Sequence, residues 1–408
     1  MVNVYSRFSS LFIEYGIYLY LVIMFLNKGE SIKNIALYGA FGLWVFSGTW
    51  RERDVYRHPI ALLFCGYVLS ILLSTVFSID RGYSFNSLRD DVVKAVVLFP
   101  VLATSFSTEQ QLKRLSVALS VSALLMIVIG FYSYITLDIP LLKPHTALMY
   151  AWHNRFARYL CLTTPFAMGL LLTANNQMSR IGLSALIISG SFALAFSTSR
   201  GGMLSAVLIV AVWMLFTYKT DHRSLKKIVL TCSAIAIAIL LITLSISPAL
   251  KTRLAGTVKD IKTVNLRSAV WEEALEGAKK KPVFGWGYGS NIFHRPEPHV
   301  DPAYISPTKA GPENMFISIL FHQGLVGLAA YCSLIITAVI VFFRSALRAG
   351  KSLSAYMLVT VCGIIMGNFV GHSLVAVEML RSLAIVLAIG IAAEKNVSKQ
   401  EGTALSLP

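Results

Sequence analysis

Charge is scarce in this sequence, and the scarcity decides its class. Asp, Glu, Lys and Arg make up 14% of the 408 residues and hydrophobic residues 56%, whereas soluble domains carry about 25% charged residues. Signatures of soluble enzymes are missing too: there is no Walker sequence, no G-x-G-x-x-G and no G-x-S-x-G. Cysteine is sparse. Cys65, Cys161, Cys232, Cys332 and Cys362 fall in apolar runs, are odd in number and lack C-x-x-C spacing. That argues against a disulfide framework or a thiolate zinc site and leaves them as packing residues. Acidic residues are outnumbered 20 to 36, for a net charge of +16. No basic run is interleaved with aromatics outside the apolar segments, so no nucleic-acid partner is indicated.

Long apolar runs fill the chain instead. Runs near the ~20 residues that span a bilayer recur almost throughout, at 11–27, 33–49, 59–79, 92–107, 115–136, 157–174, 181–197, 202–217, 228–247, 315–343, 353–371 and 380–394. The reading is an all-α, polytopic membrane protein with about twelve transmembrane helices. The first run has no small-residue cleavage site and reads as a first membrane helix, not a removed signal. The tenth is too long for one straight span. Its start, Met315–His322, is expected along the surface, with Gly324 turning the chain inward.

Loop charge sets the orientation. With the N-terminus inside, the cytoplasmic loops hold sixteen Lys and Arg, among them Arg51, Arg53, Arg57, Lys226, Lys227, Arg344 and Arg348, against ten in the short outer loops. By the positive-inside rule both termini face the cytoplasm. The chain then divides into spans one to nine (1–247), a long outer segment (248–314), spans ten to twelve (315–394) and a short polar tail (395–408) expected to be disordered. In the outer segment, Leu266–Lys281 is predicted as an amphipathic helix capped by Asn265 and ended by Pro282. Its apolar stripe is Val270, Trp271, Ala274, Leu275 and Ala278. The turn-rich run Phe284-Gly-Trp-Gly-Tyr-Gly289 follows and precedes no strand–helix unit, so it is not nucleotide-binding.

Two arginines stand out because both are expected at the same outer mouth. Arg200 lies in Ser197-Thr-Ser-Arg-Gly-Gly202, between two spans, and Arg267 in Asn265-Leu-Arg-Ser-Ala-Val-Trp271. An arginine at bilayer depth costs roughly 2.5–3.5 kcal/mol, and paired guanidiniums suit a phosphate or diphosphate. Gly201 and Gly202 would let a substrate approach the backbone. Snorkelling from a helix end, or a structural helix contact, would place the same residues there. In Ala151-Trp-His-Asn-Arg-Phe-Ala-Arg158, His153, Asn154, Arg155 and Arg158 cluster on the same side, where an interface anchor is the plainer alternative. His294, Arg295, Glu297, His299 and Asp301 crowd one loop without metal-ligand spacing, so it reads as solvated and no metal site is assigned.

The order of these motifs resembles the O-antigen ligase family, within a superfamily that also holds O-antigen polymerases. Ser-Thr-Ser-Arg-Gly-Gly is similar to that family's arginine at the outer end of a span. Asn265–Trp271 followed by Lys281-Pro-Val-Phe-Gly-Trp-Gly-Tyr-Gly289 is similar to its arginine helix and Gly-rich stop. Glu313-Asn-Met-Phe-Ile-Ser-Ile-Leu-Phe-His-Gln-Gly-Leu-Val-Gly327 resembles its His-Asn, nine-residue, Gly-x-x-Gly signature, with Asn314, Gly324 and Gly327 in register. The departure is Glu313, which stands where the family carries its proposed catalytic His.

The resemblance implies a GT-C-like glycosyltransferase of the bacterial inner membrane with its active site facing the periplasm. Its donor would be a glycan on undecaprenyl diphosphate and its acceptor lipid A–core oligosaccharide, with neither cofactor nor metal. Arg200 and Arg267 would bind the diphosphate, with His153, Arg155 and Asn314 as further substrate contacts. Glu313 would be the base, since shielding raises a carboxylate pKa toward a useful range. His299 and His322 are the other candidates for that role, and an impaired variant is also open. An O-antigen polymerase shares this donor and remains the alternative. A flippase or transporter would instead place charge deep within related halves. On this topology Tyr304→Cys should react with an impermeant thiol reagent from the outer face; reaction only after the inner face is opened overturns it.

Overall fold

The computed structural model describes residues 2–26, 28–136, 153–197, 199–220, 261–289, 292–293, 312, 314–370 and 379–405, and every regular element among them is helical. In chain order these are α1 (Val2–Ile23), α2 (Glu30–Ser47), the short α3 (Arg53–Arg57), α4 (Pro59–Val76), α5 (Arg81–Ser105), α6 (Glu109–Thr136), α7 (His153–Thr163), α8 (Pro165–Thr173), α9 (Gln177–Phe196) and α10 (Arg200–Lys219). They continue with α11 (Ile261–Lys280), α12 (Met315–Ala349), α13 (Leu353–Ile364), which runs on as a π-helical turn over Ile365–Val370, and α14 (Met379–Leu405).

Local sequence accounts for several helix starts. Asp80 accepts from the Tyr83 N–H at 2.9 Å and Asn176 from the Ser179 N–H at 2.6 Å. Each satisfies an amide with no partner inside its helix. Pro59 opens α4, and His58 Nδ1 accepts from the Ile60 N–H at 3.3 Å.

α13 is buried along its whole length, as a helix apolar on all sides must be. α8, α10, α12 and α14 pack against it, while α4 lies on α12 and α5 on α14. Further out, α1 meets α2 at Gly16, where an added methyl would stand 3.1 Å from the Ala36 carbonyl oxygen. Small residues let apolar helices approach in this way. Phe12, Ile35, Phe46 and Ile181 project outward and exposed. Six of the described helical stretches are long and apolar enough to cross a membrane: Pro59–Val76, Glu109–Ser133, Asn154–Thr173, Gln177–Phe196, Gly201–Lys219 and Met315–Ala349. This is the pattern of a polytopic membrane protein. Each other expected span coincides with a described helix, except 228–247, which lies outside the described residues.

α12 breaks at Gly324, whose φ of 67° and ψ of −165° are not helical. The break removes the turn in which Leu325 and Val326 would donate to Phe321 and His322. The Gly-rich run replaces those bonds one for one. Trp286 N–H donates to the Phe321 carbonyl and Gly287 N–H to the His322 carbonyl, both at 3.0 Å, while Leu325 N–H donates to Pro282 at 2.7 Å and Val326 N–H to Val283 at 3.2 Å. Ser74 Oγ also donates to the His322 carbonyl, at 2.6 Å. Ala274, Trp286, Ile292, Phe293 and Phe321 then form a small core of their own.

Four expectations need correction. α11 begins at Ile261, so Asn265 lies inside the helix and does not cap it. Leu275 faces outward, and the buried stripe runs instead through Ala274, Gly277 and Ala278, because the partner of α11 is α12. Met315–His322 is not laid on an open surface: Met315, Ser318, Ile319, Phe321 and His322 are all buried. The tail is helical through Leu405, since α14 continues without a break.

The crossing at Gly324 gives a direct test. A Cβ there would lie 2.3 Å from the Val283 carbonyl oxygen, whereas Gly350 has a similar φ of 63° and nothing within 4 Å. Gly350→Ala should cost about 1 kcal/mol for its backbone alone and Gly324→Ala about 3 kcal/mol or more. Denaturation of the two purified variants in one detergent measures the gap; equal losses would show that the crossing carries no special constraint.

Candidate functional site

Two junctions hold the residues singled out in the sequence. The first joins the starts of α7 and α10. Arg200 opens α10 directly after its cap, Ser199, whose Oγ accepts from the Gly202 N–H at 3.2 Å. The same hydroxyl donates to Asn154 Oδ1 on α7 at 2.8 Å. His153, Asn154 and Arg155, the first residues of α7, are therefore tied to the turn that carries Arg200. At His153, Arg200 and Arg267 the backbone alone is described. Gly202 does not open a path for substrate, because a methyl there would stand 2.5 Å from Ala157 Cβ and 3.0 Å from Leu194 Cδ1. Its bareness serves the packing of α7 on α10.

The π-helical turn closes this junction from the third side. Asn368 Nδ2 donates to the Arg158 carbonyl at 3.3 Å, Ser205 Oγ to the Gly367 carbonyl at 2.8 Å and Tyr331 OH to the Phe369 carbonyl at 2.6 Å. A π turn has one carbonyl out of α register per turn and so offers acceptors sideways. Arg158 is buried and Arg155 half-buried, and both are engaged within the protein.

The second junction is the break in α12. Asn314 caps this helix, its Oδ1 accepting from the Phe316 and Ile317 N–H groups at 3.0 and 3.2 Å. That leaves its amide donors for other partners. His322 is 4% exposed, and its Nδ1 lies 3.0 Å from the Gly287 carbonyl oxygen. A carbonyl only accepts, so Nδ1 carries the proton in this bond. The ring thus helps hold the Gly-rich run. Arg267 rides on α11, which packs on α12. Lys281 Nζ sits 4.4 Å above the Trp286 ring, a cation–π contact at the end of α11. Glu313 and His299 lie outside the described residues, although Glu313 directly precedes the Asn314 cap.

The sequence reading passed over Asp91, Tyr288 and Arg381. Asp91 is buried in α5, and its carboxylate accepts a hydrogen bond from the Tyr288 hydroxyl. The available signal was faint: Arg381 is a charge just inside the twelfth apolar run, but Asp91 sits in the charged stretch Arg89-Asp-Asp-Val-Val-Lys94 at the edge of the fourth. Tyr288 is pushed well above the usual phenol range, first by burial and then by the Asp91 charge, with Arg381 opposing.

Taken together, the fold is that of a helical membrane protein in which α7 and the π turn hold the helix start that bears Arg200, while the broken α12 and the glycine-rich loop hold α11, which bears Arg267. Residues 183–332 match the family described as O-antigen ligase, a stretch that holds Arg200, Arg267, the loop, Asn314 and Gly324. An uncharacterized protein of Haemophilus influenzae is 24% identical over 372 residues, covering 86% of this chain and 88% of the relative.

Ser199 tests the first junction. Loss of its cap in Ser199→Ala should cost about 1 kcal/mol, and adding Asn154→Ala should cost little more, because the two share one hydrogen bond. Unfolding of the single and double variants measures this; fully additive losses would mean that the two side chains act separately.

Proposed function

We propose that this protein is an O-antigen ligase of the bacterial inner membrane, a GT-C-like glycosyltransferase of about twelve spans working on the periplasmic face. The observation that carries the reading is the family match over residues 183–332, which takes in both arginines expected to meet the donor. The donor is a glycan on undecaprenyl diphosphate and the acceptor a sugar hydroxyl of lipid A–core oligosaccharide. The hydroxyl oxygen attacks the anomeric carbon, the bond from that carbon to the diphosphate oxygen breaks, and configuration inverts. Glu313 takes the hydroxyl proton, and undecaprenyl diphosphate leaves with the bonding pair.

Charge grows on the leaving diphosphate as that bond stretches. Arg200 and Arg267 are assigned to it, with Arg155 and His153 beside Arg200, because fixed guanidiniums stabilise developing anionic charge without reorganising. Their setting supports this role. Arg200 stands at a helix N-terminus whose amides also favour anions, and α11 is held on α12 through a backbone that leaves little slack. Charge compensation of this kind serves the diphosphate as a leaving group, the role that a divalent cation can fill for such leaving groups elsewhere.

Arg200→Ala and Arg267→Ala should each lower transfer by ~10²-fold or more, and Lys at either position should restore only part of it, because a point charge lacks the paired donors. Glu313→Gln should abolish transfer, and Glu313→His should keep or raise it, since imidazole titrates nearer neutral pH. Full activity in Glu313→Gln would move the base to His299 or His322. The reaction itself is tested by deletion. A strain that makes lipid-linked polymer but leaves it off the lipopolysaccharide marks a ligase, and one displaying only single repeats marks a polymerase.

A further inference from the structure

Asp91 lies in the apolar body of the molecule, 4% exposed, on the face of α5 that receives the Gly-rich loop. That face is spelled by Ser84, Ser87 and Asp91, steps of three and four that stack on one side of a helix. Ser84 stands against Gly287, where an added methyl would meet its Oγ at 3.0 Å, and Ser87 against Gly289, at 2.7 Å. Between these two contacts the Tyr288 hydroxyl reaches the Asp91 carboxylate. Arg381, in the first turn of α14, acts on the same hydroxyl with the opposite sign, and Tyr67 of α4 lies within electrostatic reach of it.

Space-filling does not account for this arrangement. A Phe at 288 would fill the same volume without burying a hydroxyl, and an aspartate in an apolar interior is costly unless it is bonded. A hydroxyl donating to a carboxylate makes a short, directional bond about twice as strong as a neutral one. Backbone bonds tie the loop to the break in α12 and, through the Ile79 N–H to the Trp286 carbonyl at 3.1 Å, to the turn before α5. The Asp91 bond adds a charged attachment within α5 itself. Attachments on α12 and on α5 together define where the loop can sit, and the loop begins four residues after α11 ends.

We infer that Asp91 and Tyr288 form a latch that seats the Gly-rich loop in the break of α12 and thereby positions α11 and its Arg267. Both are positioning residues, and Arg381 couples the latch to α14. The consequence for transfer rests on the proposed role of Arg267; the latch itself does not.

The test uses the full chain in nanodiscs, as parent, Tyr288→Phe, Asp91→Asn and the double variant. Hydrogen exchange reads the amides of Trp286 and Gly287, which open only if the loop leaves α12. Both single variants should exchange there ~10-fold faster or more, with α13 at the parent rate, and the double variant should exchange no faster than the worse single. Transfer from a lipid-linked glycan should fall ~10-fold in kcat with KM for the acceptor unchanged, because the acceptor's own contacts are left intact. Unchanged loop exchange in the single variants overturns the latch. Faster exchange with parental kcat overturns the positioning role and leaves a structural one. A parent without transfer overturns the proposed function and the positioning role with it, while exchange still decides the latch. If Tyr288→Phe does not accumulate, Asp91→Asn decides alone, since it keeps the shape and an acceptor oxygen but removes the charge.

Discussion

Two backbone hydrogen bonds that α12 gives up at Gly324 organise much of this molecule. In an apolar setting an unpaired N–H or carbonyl costs several kcal/mol, so a long helix can break only where something replaces what is lost. Here the replacement is another stretch of backbone, Pro282 to Gly287, set against the break in matching register. Backbone can approach backbone this closely only without side chains between. Gly285 and Gly324 stand at the crossing, and a methyl on either would lie under 2.5 Å from a main-chain atom of the other strand. The end of α11, the seat of His322 and the stacking of Phe77 on Phe284 at 4.7 Å all follow from that crossing.

The same constraint links the two junctions. α12 carries the break near its start and Tyr331 two turns further on, and Tyr331 reaches the π turn that also holds α7 and α10. Gln323, beside the break, donates to Tyr67 at 3.5 Å, and the Tyr67 and Tyr331 rings lie 5.4 Å apart. A polar thread therefore runs through apolar packing from the loop to the helix start that bears Arg200. Preorganisation asks for this kind of support, because a charge-stabilising group gains most when its scaffold does not move as charge develops.

Much of the framework was legible in order of residues. Apolar runs of bilayer length mark helices because nothing else buries so much backbone without water, and the described elements fall on them. Gly324 was legible as a turning point, since a run that long cannot cross straight. Helix ends were less so. Asn265 looked like a cap because it precedes the apolar stripe, yet α11 begins a turn before it, and Leu275 lost its place in the stripe because α11 packs on α12. Of the site, the arginines and the Gly-rich loop could be named from sequence. Asp91, Tyr288 and Arg381 could not be joined, because they are far apart in the chain and their types are unremarkable singly.

What the sequence determined by itself is therefore the local and the periodic: helical class, apolar spans, the turning point at Gly324, and the residue kinds that suit an anionic lipid-linked substrate. These depend on neighbours within a turn or two, or on composition summed along a run. Only the tertiary structure decided that the glycines of the loop answer the glycine of the helix, that Gly202 serves Ala157 and not a ligand, and that Tyr288 rests on Asp91. Each of those is a pairing between distant segments, and a single sequence carries no record of which distant groups the packing of helices will bring within hydrogen-bonding range.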